Sequence, residues 1–342
     1  MLDDLKYIHQ RDAQDALGIA EKQWQQLQHE FSFPRASLKI ENIVFAGMGG
    51  SALAAMLSQS WPDHQLPFEI CRQYHAPKYV SERTLFIASS YSGNTEETLS
   101  ALLEAEAKKA QVAIIAGGGQ LIEIAKSKSY PHLVLPQVGQ PRFAVFYSFN
   151  ALISLLEAIG LATPGVVAQI RNSTTFLQDS VTSWLPTVPK ASNPAKKLAM
   201  ELAGKSIVVY AGPLLSPVAY KWKISFNENA KNIAWWSQIP ELNHNEISGW
   251  TSHPVEKPYG IVELRSNLEH ERVQKRFELT EKLLSGHQPA PNVVEAQGQS
   301  LVEQLLWSVA FGDFVSLYLA LANNVNPSPV ELQEKFKQQL ND

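Results

Sequence analysis

Apolar residues fall in short runs through the first half of the chain, separated by polar and helix-forming stretches. Runs at 42–46, 68–72, 84–89, 112–116 and 132–135 are rich in β-branched and aromatic residues and read as buried strands. Between them, segments at 52–59, 96–107, 121–126 and 143–159 read as helices, and an opening helix is predicted through about Glu30. Short strands alternating with helices predict an α/β fold built on a doubly wound parallel sheet. A less patterned region at 161–193 carries Pro164, Pro186 and Pro189, with Pro194 just beyond, and is where we expect the domain link. The pattern then restarts, with strands at 206–210, 261–264 and 292–294 and helices at 217–231, 269–285 and 299–322. The expected organisation is an N-terminal domain over 1–160, a linker with helices over 161–205 and a C-terminal domain over 206–342.

An internal echo supports two similar domains. Val44-Phe45-Ala46-Gly47, with Ser51 four residues on, parallels Val209-Tyr210-Ala211-Gly212, with Ser216 four residues on. The second copy has Pro213, Leu214 and Leu215 where the first has Met48, Gly49 and Gly50. Backbone amides can approach an anion closely only in the glycine-rich copy. One phosphate site is therefore expected, in the N-terminal domain, with an apolar filler at the matching place in the other.

Composition narrows the class. The 342 residues are 45% hydrophobic and 18% charged, as in a globular protein, and the formal net charge is -4. No basic field is present to hold nucleic acid or an anionic membrane. Cys71 is the single cysteine, which excludes an intramolecular disulfide and a thiolate metal cluster. The start, Met1-Leu2-Asp3-Asp4-Leu5-Lys6, lacks the basic-then-apolar order of a signal peptide, and the apolar stretch 309–322 is too short to span a bilayer and contains Asp313. These features lead us to expect a cytoplasmic protein with no membrane partner.

The chemistry concentrates in Ser89-Ser90-Tyr91-Ser92-Gly93-Asn94-Thr95-Glu96-Glu97-Thr98, where a strand turns into a helix. A capping turn needs one hydroxyl; here Ser89, Ser90, Ser92 and Thr95 supply four within seven residues. The first amides of a helix lack internal partners and carry about half a positive charge, so added hydroxyl donors make a socket for a phosphate monoester. The loop Gly47-Met48-Gly49-Gly50-Ser51-Ala52 matches the G-x-G-x-x-A dinucleotide pattern. That pattern needs an acidic residue ending the next strand, but Glu69 lies inside its strand, which closes at Arg72. Two hydroxyl-bearing turns in one domain suit a sugar phosphate better than a dinucleotide. A nucleotide-dependent oxidoreductase and a non-catalytic phosphosugar sensor are the rival readings.

These two loops resemble those of the sugar isomerase (SIS) fold. Three later segments narrow the match: Pro141-Arg142, Asn227-Glu228-Asn229-Ala230-Lys231, and Glu241-Leu242-Asn243-His244-Asn245-Glu246. Together they resemble the bifunctional phosphoglucose/phosphomannose isomerase family, from about Ile43 to Lys337. The resemblance implies two SIS domains, each a three-layer αβα sandwich, with flanking helices. It implies interconversion of glucose 6-phosphate and mannose 6-phosphate with fructose 6-phosphate, without metal or cofactor, by a homodimer with active sites at the subunit interface. By the same resemblance Gly49, Gly50, Ser51, Ser90, Ser92 and Thr95 hold the phosphate. Glu228 moves the proton between C1 and C2, Arg142 stabilises the enediolate, and His244 assists ring opening from the neighbouring subunit. Spacing alone does not select Glu228 over Glu201 or Glu241.

The flanking asparagine amides are expected to fix the His244 tautomer. A lysine on the last helix completes the set. Lys335 and Lys337 lie about 200° apart around that helix, and Lys337, on the more apolar side, is the choice. Family members often carry threonine where this chain has Ser328; the hydroxyl, linked to acceptance of both C2 epimers, survives. Phe143 is bulkier than expected beside Arg142, and is expected to alter helix packing without touching the arginine.

Overall fold

The computed structural model describes residues 1–34, 39–62, 64–252 and 257–341. The chain divides into two compact units: one comprises Lys22–Gln178 with Gln299–Leu305, the other Met1–Glu21, Asp179–Gly298 and Leu306–Asp342.

The first unit is built on five parallel strands, β1 (Asn42–Ala46), β2 (Phe68–Cys71), β3 (Thr84–Ser90), β4 (Gln111–Ala116) and β5 (His132–Val134), in the order β2-β1-β3-β4-β5. Parallel strands must bury both faces, and β3 is buried at every position. Val44, Ala46, Phe86, Ala88, Ile114 and Ala116 pack with Leu102, Ala105, Leu121 and Ala125 of the helices Glu96–Ala107 and Gly119–Lys128. The intervening residues point to the opposite face and are equally buried, Ile43, Phe45, Leu85 and Ile87 each exposing 2% or less. The chain leaves β1 for β2 at the edge and returns to β3 on the other side of β1, which places a topological switch point between the carboxyl ends of β1 and β3.

The second unit repeats this logic with four parallel strands, β6 (Ser206–Ala211), β7 (Ala234–Gln238), β8 (Tyr259–Arg265) and β9 (Asn292–Glu295), ordered β7-β6-β8-β9. Its switch point lies between β6 and β8. The helix Ser216–Glu228 packs against Leu306–Ala322 of the long helix Leu301–Ala322, where a side chain on Gly312 would strike the Trp222 indole. That long helix has the length and composition to cross a membrane, but 94% of its most apolar window is buried inside the protein. Its Asp313 is answered by Lys221 Nζ and by Ser225 Oγ at 3.0 Å.

Three segments depart from the sequence expectation. The opening helix is broken into Leu5–Arg11, Ala16–Glu21 and the 3-10 turn Gln23–Gln28. The Asp12 carboxylate caps the Ala16 and Leu17 amides at 2.8 Å each, and Asp15 sits in the left-handed region at φ 54°, so a new helix must start there. The poorly patterned stretch, where helices are expected without bounds, holds one of 17 residues, Val166–Thr182. Strand β7 lies outside the expected set; it is an edge strand, half-exposed along most of its length.

Candidate functional site

In the first unit the two predicted loops meet at the switch point. Ser90 Oγ lies 2.7 Å from Thr95 Oγ1 and 3.3 Å from Ser92 Oγ, and accepts from the Gly93 amide at 3.1 Å. Ser92 Oγ accepts from the Asn94 amide at 3.2 Å. Ser51, from the glycine loop after β1, accepts from the Tyr91 amide at 3.0 Å, stitching the two loops together. Ser90 and Ser51 are buried while Ser92 is exposed, so the hydroxyl cluster opens outward. Ser89 belongs to β3, and its buried hydroxyl has no hydrogen-bond partner among the described residues. The cluster is therefore Ser90, Ser92 and Thr95 with Ser51, ahead of the helix Glu96–Ala107. Hydroxyls and helix-leading amides at such a switch point form a concentrated anion-binding surface.

Glycines set the geometry by contact. Gly93 has φ +73°, and a Cβ there would fall 1.7 Å from the Gly118 carbonyl oxygen, so the loop after β4 holds it rigidly. A Cβ on Gly50 would meet Pro141 C at 3.2 Å and Arg142 N at 3.3 Å. The glycine loop thus presses directly on the 3-10 turn Pro141–Phe143 that carries Arg142. Arg142 is not a surface residue; it is 1% exposed, with its guanidinium carbon 4.8 Å from the centroid of the Phe143 ring. Phe143 touches the arginine after all: it gives the cation an aromatic face to lie over.

In the second unit Glu228 closes the helix Ser216–Glu228 and is half-buried on a cleft of about 850 Å³. Lys223, Asn227, Lys231, Trp235, Asn326 and Pro329 share the cleft wall. Lys231 Nζ donates to the Glu228 carbonyl at 2.7 Å and to the Pro327 carbonyl at 3.1 Å. That bond ties the end of the Glu228 helix to the segment holding Ser328, whose amide donates to Asn326 Oδ1 at 3.0 Å. The terminal helix Glu331–Asn341 contributes Glu331, Leu332 and Gln333 to the same cleft. Lys335 follows Glu331 and Leu332 by one helical turn, and Lys337 follows Gln333.

His244 ends a separate 3-10 turn, Glu241–His244, and is exposed. The neighbouring asparagines do not serve its ring. Asn243 Nδ2 donates to Thr280 Oγ1 at 2.7 Å while its Oδ1 accepts from Arg276 at 3.2 Å, and Asn245 Nδ2 donates to Glu241 at 3.0 Å. They fasten the turn instead. Glu246 accepts from Tyr210 Oη, which also accepts from Trp250 Nε1 at 3.0 Å. Burial pushes the Tyr210 phenol far above its ordinary pKa, so it stays a donor.

The matching corner after β6 holds an unanticipated residue. Glu269, 6% exposed, puts Oε1 2.7 Å from the Leu214 amide at the start of the Ser216–Glu228 helix. A Cβ on Gly212 would fall 2.3 Å from that oxygen. The filler at the second switch point is a carboxylate, not the apolar group expected. The Leu214 and Leu215 side chains are not the plug; their amides receive one.

Residues 191–340 match the model of the bacterial phospho-glucose isomerase C-terminal SIS domain. The chain is 36% identical over 305 residues to a bifunctional phosphoglucose/phosphomannose isomerase of Caldicellulosiruptor bescii, covering 88% of this chain and 90% of that one. It is 35% identical to the Thermoplasma acidophilum protein of the same name, covering 87% and 89%. The chain belongs to the bifunctional phosphoglucose/phosphomannose isomerase family. Its fold also matches a glucose-6-phosphate isomerase like protein from Thermus thermophilus, with a TM-score of 0.67, 19% identity and 98% of each chain covered.

Proposed function

We propose that this protein reversibly isomerises glucose 6-phosphate and mannose 6-phosphate to fructose 6-phosphate through a cis-enediol. The observation that carries the reading is the convergence of Ser51, Ser90, Ser92 and Thr95 at the first switch point, with the Arg142 turn packed against the same glycine loop. In this reading those hydroxyls and the amides of Gly49 and Gly50 hold the phosphate. Glu228 removes the proton from C2 of the aldose and returns it to C1, while a second proton moves from the C2 oxygen to the C1 oxygen. General acid–base help of this kind contributes about 10²–10⁴ in rate. Arg142, charged at every working pH, stabilises the enediolate. His244 protonates the ring oxygen as the pyranose opens.

A terminal-helix lysine assists that opening. The more apolar side of the helix favours Lys337, whereas the cleft favours Lys335, one turn from two residues that line it. Ser328 supplies the hydroxyl near C1 and C2 that tolerates both epimers. The working form is a cytoplasmic homodimer in which His244 of one subunit completes the site of the other. We place the sheet-bearing domains within 1–160 and 206–342, joined through 161–205, with Met1–Glu21 grouping with the second unit and the chain as far as Gln178 with the first.

A coupled assay with fructose 6-phosphate tests the proposal. Production of both aldose phosphates is the expected result. Binding of fructose 6-phosphate without turnover would make the protein a sensor, and tight NADH binding would favour the oxidoreductase.

A further inference from the structure

Gln26 is a buried amide with no part in the chemistry above. It lies in the 3-10 turn Gln23–Gln28 and is 4% exposed. Its Nε2 donates to the Phe143 carbonyl at 2.8 Å, and its Oε1 accepts from the Tyr147 amide at 3.1 Å. Phe143 adjoins Arg142 and provides the ring under its guanidinium; Tyr147 lies in the first turn of the helix Val145–Ala158. That first turn has orphan amides and no side-chain cap of its own. Gln26, 121 residues away from Tyr147 in sequence, supplies the missing acceptor and holds the preceding turn with its other end. Asn150 returns the grip: its Nδ2 reaches the carbonyls of Gln26 and Leu27 at 3.3 Å each and of His29 at 2.8 Å. The segment is thereby fixed on the helix at both ends.

We infer that Gln26 is a positioning residue for Arg142, acting through the Phe143 carbonyl and the Tyr147 amide. The inference rests on the proposed isomerase reading, in which Arg142 meets charge that develops only as the enediolate forms. A group working there affects kcat more than KM. Gly50 bears on Pro141 and Arg142 while Gln26 holds the Phe143 carbonyl, so the turn has little freedom to shift.

The test is Gln26→Glu, assayed with fructose 6-phosphate from pH 5.5 to 8.5 beside wild type. Ionised, the new carboxylate can still accept from Tyr147 but sets an oxygen lone pair against the Phe143 carbonyl; protonated, it restores the donor. The charged and titratable groups on the described elements joined here include Lys22, His29 and Glu30 on the segment of Gln26, Arg142 on the turn and Tyr147 on the helix, with Arg171 paired to Glu30. We expect kcat to fall about tenfold at high pH with KM within about twofold, and to recover relative to wild type as pH drops. Gln26→Met, similar in volume and neutral, should lower kcat at every pH without that recovery, and it decides the matter if the glutamate variant fails to fold at high pH. A folded variant with wild-type kcat throughout, or equal proportional changes in kcat and KM, would overturn the inference. So would failure of both variants to fold, which would make the amide a determinant of folding. Wild-type turnover in the same assay reports on the proposed function alone: without it both readings fall, and with it the variant ratio reads the clamp.

Discussion

The two switch points have the same construction and opposite contents. Each lies between the first strand of its sheet and the neighbour reached after a crossover to the edge, and each is followed by a glycine and a helix. After β1 the loop is Gly-Met-Gly-Gly-Ser, and hydroxyls from the loop after β3 gather beside it. After β6 the loop is Gly-Pro-Leu-Leu-Ser, and the Glu269 carboxylate from the segment after β8 occupies the helix amides. A helix N-terminus in a parallel α/β fold attracts negative charge. One unit leaves that demand for a ligand, and the other satisfies it from its own chain. In the proposed reading the units take separate tasks: anchoring at the first, and, at the far end of the Ser216–Glu228 helix, a carboxylate for chemistry.

Removing the proposed chemical half alone should cost the most. Glu228→Gln should lower kcat by about 10²–10⁴ while phosphosugar affinity, measured by isothermal titration, stays near wild type. Substantial residual turnover would remove Glu228 from the role. Next comes a matched pair. Ser92→Ala should raise KM by about tenfold or more, as expected for a hydrogen bond to a charged group, with a smaller effect on kcat. Ser216→Ala, at the position corresponding to Ser51 in the plugged corner, should leave KM unchanged. Equal effects from the two would erase the distinction between the corners.

The smallest effect is on stability. Burial pushes the Glu269 carboxyl above its ordinary value of 4.5, against the pull of the Leu214 and Leu215 amides. A raised folded-state pKa means the native protein holds this proton more tightly than the unfolded chain. The associated stability is complete below the unfolded pKa and is lost as pH rises through the folded one. Wild type should therefore lose stability relative to Glu269→Gln, by about 1 kcal/mol for each unit of pKa displacement, as pH rises above 4.5. Urea titrations of both proteins at pH 4 and pH 7 measure it. A difference that moves the other way would mean that the amides and helix dipole outweigh desolvation.

Most of this architecture was legible because local signals agreed. The buried strands of both sheets are apolar runs between turn residues, and three of the four clustered hydroxyls, Ser90, Ser92 and Thr95, lie in one uninterrupted segment. What escaped depended on residues distant in sequence or on mixed signals. Glu269 meets Leu214 across 55 residues, and nothing in its own neighbourhood marks it as a plug. Asn243 and Asn245 flank His244 in sequence, but their amides face Thr280, Arg276 and Glu241 once the turn folds. Strand β7, with Trp235 exposed and Ser237 half-buried at a sheet edge, lacks the continuous burial that marks its neighbours. The Val166–Thr182 helix was readable in principle, since Val166, Ile170, Leu177 and Val181 are buried at helical spacing. The prolines around it mask that spacing.

In the proposed reaction a phosphate-anchored hexose loses and regains a proton at adjacent carbons on a carboxylate. Proton NMR of the wild-type protein with fructose 6-phosphate in D₂O tests it most directly. Glucose 6-phosphate and mannose 6-phosphate are both expected to accumulate with deuterium at C2 on prolonged incubation. Aldose products still fully protiated at C2 after many turnovers would overturn it, because a proton held on a carboxylate exchanges with solvent in a fraction of turnovers whereas a direct hydride shift never does.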